Sequence, residues 1–186
     1  LLNWDQEVYM PPQGAASRAR AMGTLAGIQH DRQTAPELVD LVTALGVADL
    51  QGDMAVNLRE VQRGQKRALS LPKALVVELT QTESLSHEAW VEARRNDDFA
   101  TFQPWLEKIV ELKRQVAEAV GYTGSIYNAL LDEYEPHACV EEVGPVLADL
   151  RQRLVPLVAG IVDSGRGTDD LFDQPFDIGP QETFGR

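Results

Sequence analysis

Cysteine, histidine, aromatic residues and positive charge are all scarce in this chain of 186 residues, and each scarcity narrows the field. A single cysteine, Cys139, cannot close an internal disulfide, which suits a reducing, cytoplasmic compartment. A free thiol of this kind is more often a small buried hydrophobe than a reactive group. Three histidines, His30, His87 and His137, lie too far apart in sequence to outline a metal site by spacing. Lys and Arg number 17 against 29 Asp and Glu, leaving a net charge of −12 and a pI of about 4.6. A surface of that sign repels phosphate backbones, so nucleic acid is a poor partner. No apolar run is long enough to cross a bilayer, and no signal peptide is visible, so no membrane role is expected.

What is present is ample apolar character. Hydrophobic residues make up 44% of the chain and charged residues 25%, enough to bury a core and to argue against disorder. The chain opens Leu1-Leu2-Asn3-Trp4 without an initiator methionine and closes at Glu182-Thr183-Phe184-Gly185-Arg186 without a clear ending. Both ends read as cut, so residues 1–186 are expected to form a single helical unit that is a fragment of a longer chain.

Helical periodicity dominates, and strand-like alternation is nearly absent. A short element, Leu1 to Val8, ends at Met10-Pro11-Pro12, because two prolines cannot continue a helix. A second helix is expected over about Gly14 to Asp31, with Met22, Leu25 and Ile28 on one face. Arg18 and Arg20 in its early turns are mildly unfavourable near a helix N-terminus, a hint that they meet something else. Pro36 opens a third helix that Gly46 ends. A fourth covers about Gln51 to Leu69, with Met54, Leu58, Val61 and Leu69 as its apolar stripe and Arg59, Arg63, Lys66 and Arg67 as its solvated side. Ser70-Leu71-Pro72 starts a long helix to about Arg95, whose core side follows Leu75, Leu79, Thr82, Ser86, Ala89 and Ala93. Asn96-Asp97-Asp98 stops it, Phe99 to Gln103 is a connector, and Pro104 opens the next helix, to Val120. Ile126 to Tyr134 is a short helical piece. The last long helix runs from Val140 to Asp163 with Pro156 expected to kink it. Ser164 to Thr168 is a Gly-rich loop before a short irregular tail. Long helices joined by short connections imply antiparallel hairpins, so the expected fold is all-α, an elongated helical bundle.

Few motifs carry chemistry. His87-Glu88-Ala89-Trp90-Val91 begins like H-E-x-x-H, in which histidines at i and i+4 grip zinc and the glutamate activates water. Val91 occupies the second histidine's place and cannot coordinate, so His87 and Glu88 read as an exposed or capping polar pair. Gly165-Arg166-Gly167 is too short for a phosphate loop and lacks its lysine. Asp132, Glu133 and Glu135 with Tyr127 and Tyr134 form a carboxylate-aromatic cluster. Paired carboxylates can do acid–base work, but more often form a solvated face or a structural network. Trp4-Asp5-Gln6 could mark an apolar pocket with a polar rim or ordinary helix packing. Trp4, Asp5, Gln6, Tyr127, Asp132, Tyr134 and Glu135 are therefore the residues of a possible groove or structural polar cluster. No catalytic and no metal-binding residue is assigned.

Those segments, in this order, resemble the Taq-type thermostable metallocarboxypeptidases. The resemblance rests on Leu2-x-Trp4-Asp5-Gln6 with Met10-Pro11, Gly14-Ala15 and Arg18, then Leu71-Pro72 with Leu75 and Glu78-Leu79. It continues through Trp90, Ala93-Arg94, Asn96-Asp97, Phe99 and Phe102-Pro104-Leu106. The most specific block is Tyr127-Asn128-Ala129-Leu130-Leu131-Asp132-Glu133-Tyr134-Glu135-Pro136, and the set spans Leu1 to about Phe184. It implies the N-terminal part of a groove-forming helical metallopeptidase. The family is commonly homodimeric and uses zinc or cobalt, held by an H-E-x-x-H helix and a downstream glutamate, to release C-terminal residues from peptides. None of that apparatus matches within this chain. The chain alone is thus expected to lack a cofactor and catalysis, with peptide as substrate only in the complete enzyme and a homo-oligomer as its state. One departure is His137-Ala138, where the family usually has glycine after the proline; glycine would permit a positive φ. Two other readings are a stand-alone, non-catalytic helical interaction module derived from that family and an enzyme using the carboxylate-aromatic cluster.

Overall fold

A computed structural model describes residues 1–165 and 175–185. Every regular element among them is helical. In order these are α1 (Leu2–Val8), a 3-10 turn (Pro12–Gly14), α2 (Ala15–Gln33), α3 (Pro36–Gly46), α4 (Asp53–Ser70) and α5 (Lys73–Asn96), followed by α6 (Phe99–Val120), α7 (Asn128–Leu131), α8 (Val140–Asp163) and α9 (Ile178–Phe184). The contacts divide the chain into two compact units, Leu1–Cys139 and Val140–Arg186, where the sequence suggests one.

The first unit is built on α5. Leu75 packs with Leu112 and Val116 of α6 into a small core that Leu71, Leu79, Val120 and Leu130 flank. The other side of α5 receives α2, and here the structure departs from the expected face. The expected face is not the buried one: Met22 is half-buried, Leu25 and Ile28 are exposed, and the buried residues are Ala19, Gly23 and Gly27. Spaced four apart, these small residues form a smooth strip along one helix face. A Cβ at Gly23 would lie 2.6 Å from Gln81 Cγ, and one at Gly27 would lie 3.2 Å from Val77 Cγ2. The glycines let the Gln81, Val77 and Lys73 side chains of α5 seat close against the α2 backbone. His30 adds a polar tie, its Nε2–H donating to the carbonyls of Ala68 (3.1 Å) and Leu71 (2.8 Å) at the end of α4.

The α5–α6 junction also differs from expectation. α6 starts at Phe99, five residues before Pro104. Asp97 ends α5 in the left-handed conformation (φ 52°, ψ 40°). Asp98 then caps α6: its carboxylate accepts from the Ala100 N–H (3.1 Å) and the Thr101 hydroxyl (2.6 Å). Pro104 therefore sits in the second turn, leaving the Ala100 carbonyl without its helical donor.

In the second unit, α8 has the expected bounds and continues through Pro156. Val143 is half-buried, but the apolar residues Leu147, Leu150, Leu154, Leu157 and Ile161 along it are exposed. The tail, expected to be irregular, contains α9. Of the loop expected over Ser164–Thr168, only Ser164 and Gly165 lie among the described residues.

Candidate functional site

The residues singled out from sequence fall into two separate places. At the first, α1 is latched by its polar side chains. Asp5 pairs with Arg18, which also donates to the Leu2 carbonyl at 3.1 Å. The partner that Arg18's unfavourable position hinted at is thus α1 itself. The Ser84 hydroxyl donates to Gln6 Oε1 (2.9 Å), and His87 Nε2 lies 3.4 Å from Glu7 Oε2. Trp4 is half-exposed and meets Tyr9 edge to face at 5.1 Å. His87 is consequently not an exposed helix residue: it is half-buried, its ring lies 5.9 Å from that of Trp90, and its Nδ1 is buried with no hydrogen-bond partner among the described residues.

At the second place, the Asn128–Glu133 stretch is held against α4. Arg63 bonds the Asp132 carbonyl and reaches its Oδ2 at 3.1 Å. Arg67 donates to the Ala129 carbonyl (3.2 Å) and pairs with Glu133 (3.1 Å). These two arginines, read from sequence as part of a solvated face, are the fastening of that stretch. The i, i+4 spacing that puts both on one face is visible in the sequence, but their partners lie more than sixty residues away. Asp132 Oδ1 accepts the backbone N–H of His137 (2.9 Å). That bond holds its carboxyl below the usual carboxylate range, against the opposing pull of burial and with help from Arg63. With donors on both oxygens, Asp132 fastens a turn rather than acting as a base. Tyr127 and Tyr134 point outward (56% and 81% exposed), as does Glu135. The carboxylate-aromatic cluster therefore does not converge. The cavities described around α4 and Asp132 take no residue from α1.

His137 stands at φ 70°, the left-handed conformation that a glycine there would adopt without strain. Gripping a hydrolytic metal requires several donors aimed at one point. Among the described residues, no three His, Cys, Asp or Glu side chains come together in that way. His30 ties α2 to the end of α4, His87 meets α1, and His137 borders the α4 cavity.

Superposition places this helical body among the carboxypeptidases. The solved structure of Pyrococcus furiosus carboxypeptidase matches 89% of the chain with TM-score 0.75 and 37% identity, over 33% of its own length. A structure described as BsuCP matches 98% with TM-score 0.90 and 25% identity, over 37% of its length. In sequence, thermostable carboxypeptidase 1 of Pyrococcus furiosus is 36% identical over 167 residues, 89% of this chain and 34% of the relative. Its Thermus thermophilus counterpart is 34% identical across 99% of this chain and 39% of the relative. The chain belongs to the Carboxypeptidase Taq (M32) metallopeptidase family, which it matches across residues 1–186. It spans somewhat more than a third of the length of these curated relatives.

Proposed function

We propose that this chain is the N-terminal helical scaffold of a metallocarboxypeptidase. Its role is to wall the groove in which a peptide lies, while hydrolysis rests on metal donors outside residues 1–186. The supporting observation is the family match along all of this chain and only about a third of its curated relatives. The latches described above suit a structural role, since they commit Asp5, Gln6 and Asp132 to holding helices. In the complete enzyme the metal is zinc or cobalt, the substrate is the C-terminal end of a peptide, and the assembly is a cytoplasmic homodimer. No helix among the described residues is long and apolar enough to cross a membrane.

A peptidase assay on the purified chain with added zinc or cobalt tests this reading. No release of C-terminal residues is expected. Mixing the chain with the remaining portion of the Thermus thermophilus relative is expected to restore metal-dependent release. Turnover by the chain alone would overturn the proposal.

A further inference from the structure

α4 carries Arg63, Lys66 and Arg67 within a little over one turn, on one face. That face, with Asp132, Glu133 and His137, lines a cavity of about 350 Å³. A second cavity beside it shares Arg63, Lys66 and His137. Asp132 and Glu133 are engaged by Arg63 and Arg67, and the Lys66 ammonium has no ion pair among the described residues. Three cations thus face two carboxylates in a chain whose net charge is −12. Gly64, also in the cavity lining, faces open space: a Cβ there would meet nothing within 4 Å.

We propose that this cavity binds a small oxyanion, phosphate or carboxylate, with Lys66 as its principal charge and the outer N–H groups of Arg63 and Arg67 as flanking donors. Guanidinium groups that use only some of their five N–H donors can hold a carboxylate and still offer bonds to a second anion. Asp132 and Glu133 line the same cavity and oppose an anion near them, so binding rests on Lys66 and the arginine donors that their ion pairs leave unused. This inference does not depend on the peptidase reading.

Isothermal titration of the chain with inorganic phosphate, and separately with succinate, at fixed ionic strength in chloride tests it. Saturable binding is expected with at least one anion, and which one binds distinguishes a phosphate from a carboxylate source. Lys66→Gln, an exposed change with no internal partner to lose, is expected to weaken binding about tenfold, the scale of one lost charge-assisted hydrogen bond. Lys66→Arg is expected to retain most of the affinity. Arg20→Gln on α2, which borders neither cavity, is expected to leave it unchanged. No saturable binding of either anion, or equal affinity in Lys66→Gln, would overturn the proposal.

Discussion

His137 shows how one residue can carry strain that another conceals. Its left-handed backbone is costly for a side chain with a Cβ, and its N–H nevertheless anchors Asp132. His137→Gly relieves about 1–2 kcal/mol of that strain but makes the unfolded chain more flexible, which returns up to about 1 kcal/mol. A net gain of about 0.5–1 kcal/mol is expected from urea denaturation. His137→Ala, which keeps the Cβ, is expected to show none. Asp132 gives a pH signature. Its carboxyl is held low by the His137 N–H first and then by Arg63, so its folded pKa lies below the unfolded one. Such a group stabilises the fold fully above the unfolded carboxylate pKa, and the contribution disappears as pH falls through the depressed folded value. The stability lost on Asp132→Asn should therefore be largest near neutral pH and shrink on acidification through the carboxylate range. A difference that stayed constant with pH would contradict this assignment. The sequence reading marked His137 as a departure and Asp132 as structural more often than catalytic. It could not pair Asp132 with Arg63, since no periodicity links residues sixty-nine positions apart.

At the level of helices, the α2–α5 contact turns on glycine. The sequence reading favoured Met22, Leu25 and Ile28 because a hydrophobic face is the usual packing face. Close approach selected Ala19, Gly23 and Gly27 instead. Gly23→Val drives a branched side chain into Gln81 and is expected to destabilise by about 1–3 kcal/mol, the usual penalty for overpacking. The urea midpoint measures it. An unchanged midpoint would show that α2 can lift from α5 without cost. The same lesson applies to α6. Asp98 followed by Thr101 was a legible cap, but Pro104 was the louder signal and drew the boundary five residues late. Asp98→Ala is expected to lower the thermal midpoint at neutral pH. That effect should fade in acid, because the Thr101 hydroxyl holds the Asp98 carboxyl below its ordinary range.

For the whole molecule, the question is what covers its apolar surface. On α4 the expected core stripe is largely outside: Met54, Val61 and Leu69 are all exposed, and only Ala68 is buried. Leu41 on α3 is exposed as well. Apolar side chains left out along one helix favour association. The isolated chain is therefore expected to self-associate as concentration rises in sedimentation velocity. Met54→Glu with Val61→Glu should shift it toward monomer. A wild-type chain that stays monomeric throughout the range would refute this.

The sequence by itself determined the helical class, most helix boundaries and the family, because periodicity, prolines and caps act within a few residues of one another and motif order survives in a single string. It also showed that a second metal-binding histidine is missing from the His87 helix, since i, i+4 spacing is local. Tertiary structure alone decided which face of α2 is buried, that Arg63 and Arg67 fasten Asp132 and Glu133, and that the conspicuous tyrosines point away from them. Those outcomes depend on which distant backbone comes close enough to touch, and the string of residues does not encode that distance locally.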